Sequence, residues 1–278
     1  VAEKRGCGCL PFALAGLLLL AWTIRDMGVP PLEIEQYDPR SPRRPMPQWS
    51  DEQFVIEDRP GGPADSMGTA FAVDRDGAWL TAEHVTHGCT RIGLENGAFA
   101  RPVSRVIESR EGDASLVADA LTSSAALPLS DRMPAPGSTG YHMGFPADVP
   151  TLVQSVLIGA ANARRGRTED SQPVLAWAEE ARIPAGEGTL SGISGGPTFA
   201  EDGHVVGVNS AATDRRGRIL TTAPDAVMRL ALASRVVDDR PVAYPFQGLA
   251  DAQRRFVAWL DQGVIRRIFC DVDEPAGG

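Results

Sequence analysis

Between Asp51 and Pro224 the apolar residues come in short runs separated by turn residues. Gly68–Val73 is one such run, Asp74-Arg75-Asp76-Gly77 reads as a turn, and Ala78–Thr81 returns. Further runs lie at Phe99–Ile107, Ala114–Ala118, Leu152–Ala160, Val174–Ala178, His204–Ala211 and Arg218–Thr222. Many short strands without alternating long helices predict an all-β fold of barrels or a sandwich, and argue against a parallel α/β sheet. Pro224 then opens a helix-like run to Ala233. Phe256, Leu260, Val264 and Ile268 recur every four residues, which predicts a second, amphipathic helix from about Leu249 to Phe269. Its apolar stripe suits packing on the barrels; the flanking arginines leave a partner or membrane-surface helix as the other reading.

Within this β pattern, Gly192-Ile193-Ser194-Gly195-Gly196-Pro197 is a poor design for a packed core. Glycine packs nothing and costs backbone entropy, so three around one hydroxyl need a reason. A chemical reason is available. A serine nucleophile needs open space at its oxygen and backbone N–H groups turned toward an incoming carbonyl oxygen. Gly192 can take dihedrals closed to other residues, which would let its N–H and that of Ser194 converge on one point. The competing reading is a glycine-rich turn before a strand.

A serine hydroxyl is a weak nucleophile until a base takes its proton, most often an imidazole. The chain has four histidines, His84, His87, His142 and His204. His84 and His87 directly follow a predicted strand, where a loop can present a catalytic group, and local pattern leaves both open. His142 reads as structural or pocket-lining, and His204 as a turn residue. The base needs a carboxylate to fix its tautomer. Asp113, at the mouth of the apolar strand Ala114–Ala118, fits; Asp119 at the other end is the alternative.

The N-terminus follows different rules. Lys4 and Arg5 precede an uncharged run from Cys7 to Ile24. Those 18 residues span about 27 Å as a helix at ~1.5 Å per residue, enough to cross a bilayer. Residues 1–27 are expected to be a single transmembrane helix, because Trp22–Asp26 supplies no small-residue cleavage site; a cleaved signal peptide is the alternative. The basic residues predict that the bulk of the chain lies on the extracytoplasmic, periplasmic side. Residues 28–50 hold six prolines and read as an extended linker. A formal net charge of −9 argues against nucleic acid as a partner. Cys89 and Cys270 are candidates for one disulfide in an oxidising compartment or for two buried thiols. No Cys-x-x-Cys or His-Glu-x-x-His occurs, so no metal or other cofactor is expected.

Three segments together resemble the trypsin-like (chymotrypsin-fold) serine proteases, in particular the bacterial HtrA/Deg-like branch. GTAFAVDRDGAWLTAEHVT at 68–86 is similar to that family's first hairpin and histidine loop, GDASLVA to its aspartate strand, and GISGGPTFAEDGHVVGVNSA to its serine loop and following hairpin. GSTGYHMGFP resembles the strand that begins the second barrel. The order His84, Asp113, Ser194, with spacings of 29 and 81 residues, is that of the chymotrypsin arrangement.

The resemblance implies two six-stranded antiparallel β-barrels, at about 51–130 and 131–235, followed by a C-terminal extension, 236–278, with the helix described above. It implies Ser194 as nucleophile, His84 as base, Asp113 as its orienting carboxylate, and Gly192 and Ser194 as oxyanion donors. Val208–Ala211 would pair with a polypeptide substrate, and Thr189, Leu190, Asn209, Ser210 and Ala211 would line its site. That wall carries no charge, so small or medium apolar side chains are expected before the cut bond. Ile193 stands where digestive relatives have an aspartate that pairs with a newly cut N-terminus, so activation by such cleavage is not expected. The 44 residues after Ser234 are too few for the peptide-binding PDZ domain of HtrA relatives. A catalytically silent protein that binds or senses polypeptides, and an esterase using the same triad, are the rival functions. The oligomeric state is left open.

Overall fold

The carboxylate of Asp74 accepts the backbone N–H groups of Asp76, Gly77 and Ala78 at 3.0, 2.9 and 2.8 Å. This turn joins β2 (Ser66–Ala72) to β3 (Trp79–Thr81), the expected hairpin. In the computed structural model, residues 53–56, 66–118, 121–165, 171–186, 188–213, 217–234 and 241–272 are described. The expected anchor at 1–27, the linker at 28–50 and Asp119 lie outside the described residues. Among the described residues no helix is long and apolar enough to cross a membrane.

The chain is mostly β. Ahead of the hairpin lies β1 (Gln53–Ile56). After β3 come a single helical turn, α1 (Glu83–Thr86), and strands β4 (Arg91–Asn96), β5 (Phe99–Pro102), β6 (Arg105–Glu108) and β7 (Ser115–Ala118). Then follow β8 (Thr139–Gly144), β9 (Thr151–Arg165), β10 (Ser171–Ile183), β11 (Pro197–Ala200), β12 (Val205–Thr213) and β13 (Arg218–Thr222). The chain continues through α2 (Pro224–Ala233), α3 (Leu249–Asp261) and β14 (Ile265–Asp271).

Strands β8, β9, β10, β13, β12 and β11 pair in a ring, because β8 bonds both β9 and β11. This closed six-stranded barrel is the expected second barrel. Val153, Leu157, Leu175, Trp177, Leu190, Ile193, Val206 and Ile219 fill it. β1 pairs with the far end of β9 in parallel.

The first sheet differs from the expected closed barrel. Its order is β5-β4-β14-β2-β3-β7-β6, an open half-barrel whose edges are β5 and β6. These edges are neighbours in the chain, yet no pairing joins them. All four side chains of β5 are exposed, so no apolar face draws it inward, and Pro102 lacks a donor.

The expected long C-terminal helix is likewise revised. α3 stops at Asp261 in a Schellman motif. Gly263 takes φ 65° and its N–H reaches Leu260 O at 2.9 Å, while Val264 N–H reaches Trp259 O at 2.7 Å. The chain then straightens into β14, which inserts between β2 and β4, antiparallel to both. Ile265 and Ile268 are fully buried there, each worth ~1.5–3 kcal/mol by removal from water. α3 itself packs on the barrels, with Trp259 stacked on Phe199 at 4.9 Å between ring centroids. Cys270 of β14 forms a disulfide with Cys89, just after α1, with Cα atoms 5.4 Å apart.

Candidate active site

Strand β3 ends at Thr81 and the chain turns at once into α1, so His84 sits one residue into a single helical turn. Strand β7 is wholly buried and pairs with β3, Thr81 opposite Ser115. Asp113, two residues before Ser115, is thereby carried beside His84. Its Oδ2 lies 2.8 Å from His84 Nδ1, and its Oδ1 accepts the His84 backbone N–H at 2.9 Å. One carboxylate therefore fixes both ring and backbone of the histidine. Asp113 is 3% exposed, whereas the His84 side chain keeps 24% of its surface. A buried carboxylate needs several donors. A third comes from Ser210 Oγ, which donates to Oδ2, and Thr222 Oγ1 donates to the Asp113 carbonyl at 2.9 Å.

His87 goes elsewhere. Its Nδ1 lies 3.3 Å from both Glu83 and Glu108 on the exposed side of α1. Those three side chains bring possible metal ligands within 4.8 Å of one another and are accounted for as surface pairs.

The serine loop is placed against α1 by two close approaches. A Cβ built on Gly68 would lie 2.8 Å from Val85, next to His84, and 3.0 Å from the Ser194 carbonyl. That carbonyl accepts the Thr69 N–H at 2.8 Å. Gly195 takes φ 87°, and any side chain there would overlap Thr69 and Thr81 and touch the N–H of Ala82, the residue before α1. The backbone of the serine loop and the helix bearing His84 thus meet across β2. Ser194 itself remains partly exposed.

Before the serine, Ile193 N–H bonds Leu190 O at 3.0 Å and Gly192 takes φ 106°. This is a type II turn with the glycine it requires at the third position. The turn has fixed neighbours. Thr69 Oγ1 donates to Gly192 O at 2.8 Å and accepts the Phe145 N–H at 3.2 Å. Ala147 N–H bonds Ser191 O at 3.0 Å. Ala147 and Asp148 both have positive φ, 47° and 70°, a conformation costing roughly 1–2 kcal/mol per non-glycine residue.

The expected substrate-lining residues divide. Ser210 occupies a bulge, Asn209 opposing Thr221 and Ala211 opposing Leu220, and the bulge aims its hydroxyl at Asp113. Asn209 faces inward. Its Oδ1 lies 2.8 Å from both His142 Nδ1 and Thr198 Oγ1, while its backbone C=O and N–H bond Gly195 and Gly196 at 2.7 and 2.9 Å. It braces the serine loop from behind. Leu190 and Ile193 are buried in the closed barrel, where Ile193 fills its place by apolar packing. Thr189 is exposed and caps the Ser191 N–H at 3.1 Å, and Ala211 is partly buried.

Behind Asn209, fully buried His142 also meets Ser155 Oγ at 2.6 Å through Nε2. These partners fit the Nδ1–H tautomer. Burial pushes its imidazole down to about 4, against a smaller opposing contribution from the Asn209 bond. Sequence reading missed Thr69 and the His142 network; a hydroxyl or imidazole inside a strand carries no signature of its partners.

A family model for the trypsin-like peptidase domain matches residues 68–208, just over half of the chain. No curated protein sequence matches it significantly. Among solved structures, the active form of the Rv3671c protease from M. tuberculosis superposes with a TM-score of 0.50 at 18% identity, covering 63% of this chain and 76% of the other. The HtrA-type protease AlgW with a decapeptide gives a TM-score of 0.47 at 18% identity, covering 62% and 51%. The serine endoprotease from Yersinia pestis gives 0.43 at 19%, covering 63% and 59%. At 18% identity the likeness to the Rv3671c protease is one of fold. With a family match spanning the histidine, aspartate and serine segments, the chain belongs to the trypsin-like peptidases.

Proposed function

We propose that the protein is a membrane-anchored, extracytoplasmic serine endopeptidase. The observation that carries this reading is the buried Asp113 carboxylate holding His84 by ring and backbone, beside a serine loop built on positive-φ glycines. Ser194 Oγ attacks the scissile carbonyl and transfers its proton to His84 Nε2. Asp113 keeps the tautomer that leaves Nε2 free to accept and stabilises the imidazolium that forms. The N–H groups of Gly192 and Ser194 receive the developing oxyanion, each typically worth ~3–4 kcal/mol of barrier. His84 then returns the proton to the leaving amine, and water releases the acyl group by the reverse sequence. The substrate is a polypeptide laid in extended form along the outer part of the Val208–Ala211 strand, since the Asn209 backbone groups are bonded to Gly195 and Gly196, with a small or medium apolar residue before the cut bond. No cofactor takes part.

The location rests on the apolar run Cys7–Ile24 behind Lys4 and Arg5, and on the Cys89–Cys270 disulfide, which suits an oxidising compartment. The test of function is cleavage of a diverse peptide library. The wild type is expected to cut after small apolar residues, and Ser194→Ala to lose at least a thousandfold in kcat/KM. Binding of peptides without cleavage by the wild type would favour the catalytically silent alternative. A dominant Arg or Lys preference would refute the stated specificity.

A further inference from the structure

Arg267 lies on β14, which is already secured by pairing with β2 and β4 and by the disulfide at Cys270. Its side chain reaches both a neighbouring strand of that sheet and the other barrel. One guanidinium nitrogen, Nη2, donates to Glu95 at the end of β4, and Glu95 also accepts the Arg267 backbone N–H at 3.2 Å. The other, Nη1, donates to Asp148, which follows β8 of the closed barrel. The group also lies 5.9 Å from the Phe145 ring centroid. Burial alone would raise Glu95; the Arg267 bonds outweigh it and hold that carboxyl below its ordinary value.

Asp148 and Ala147 form the left-handed pair of the Pro146–Asp148 turn, a shape that needs outside support. This turn is the neighbour of the oxyanion loop. Ala147 N–H holds Ser191 O, and the Phe145 carbonyl lies 2.5 Å from where a Gly192 Cβ would stand. Where the turn sits therefore decides where Gly192 can sit.

We propose that Arg267, by clamping Asp148, is a positioning residue for the oxyanion loop, linking the C-terminal strand of the half-barrel to Gly192 in the other half of the site. The inference rests on the catalytic reading above, and its test is built to fail separately from it.

The experiment compares the full-length wild type with Arg267→Met, Arg267→Lys, Asp148→Asn and the double variant Arg267→Met/Asp148→Asn. Four quantities are read: kcat and KM on the best-cleaved library peptide, inhibition by its boronic acid, inhibition by its product acid, and amide exchange across 188–196. Arg267→Met and Asp148→Asn are each expected to lower kcat tenfold or more with KM within twofold. The boronate, whose adduct places an oxygen in the hole, should weaken by the same factor, and the product acid should not. Arg267→Lys should recover most of the loss, the double variant should be no worse than either single, and exchange at 188–196 should quicken. A kcat within twofold of wild type in both singles overturns the inference, as does an effect of Arg267→Met that Asp148→Asn lacks. Asp148 is 58% exposed, so Asp148→Asn carries the test if Arg267→Met fails to fold. If the wild type itself does not cleave, the catalytic reading fails and exchange decides the positioning link: unchanged exchange in Asp148→Asn overturns it.

Discussion

The two barrels are built on opposite principles. The closed barrel takes its six strands from one stretch, 139–222, and bonds every strand on both sides. The half-barrel leaves β5 and β6 unpaired with each other and fills the gap between β2 and β4 with a strand from residues 265–271. Yet the half-barrel carries His84 and Asp113, while the closed barrel supplies Ser194 and the brace behind it. The more self-sufficient half thus presents the serine, and the less self-sufficient half presents the histidine and the aspartate. The placement of that pair then depends on the far C-terminal end of the described chain.

Ending the chain after Gly263 would break this comparison most severely. β2 and β4 would both lose a partner, and two buried isoleucines would be gone. Amide exchange is expected to show near-complete loss of protection over 66–118, with most protection retained over 139–222. Equal loss in both regions would show that the closed barrel is not self-sufficient.

Reduction is a milder form of the same attack. The Cys89–Cys270 bond closes a loop of 181 residues and ties β14 to the segment after His84. Cys89→Ser/Cys270→Ser is expected to cost up to about 5 kcal/mol by the loop-entropy argument, read as a fall in the urea midpoint. Exchange should rise in the half-barrel first.

Acid should reach the other half. His142 is buried in the closed barrel with its imidazole down to about 4, against an ordinary 6.5. The unfolded chain therefore takes up this proton before the folded one. Its contribution is intact above pH 6.5 and is lost as pH falls through about 4. At ~1.4 kcal/mol per pH unit that is roughly 3 kcal/mol. Urea midpoints measured between pH 7.5 and 4 should show this slope, and His142→Gln should flatten it. An equal slope in the variant would place the acid sensitivity elsewhere.

Much of the site was legible because its pieces are local. Asp74–Gly77 reads as a turn from its own residues, and Ser194 stands out because glycines surround it. What escaped the sequence is long-range. Phe256, Leu260, Val264 and Ile268 are all drawn inward, as their spacing suggests, but Val264 already lies in the turn after the helix and Ile268 in a different element, β14. Gly263 held the stop signal; the partners of β14 lie some 170–200 positions upstream, and no local pattern names them. Substrate lining was similarly obscured. A bulge at Ser210 changes which face each neighbour takes, turning Asn209 toward His142 and Ser210 toward Asp113.

The central claim is that Ser194 is a nucleophile activated by the His84–Asp113 pair. Its most direct test is labelling with a fluorophosphonate, followed by mass mapping of the modified peptide. The account predicts one adduct, on Ser194, formed by the wild type and lost in His84→Ala although the serine is still present. An unlabelled wild type, an adduct elsewhere, or undiminished labelling of Ser194 in His84→Ala would contradict it.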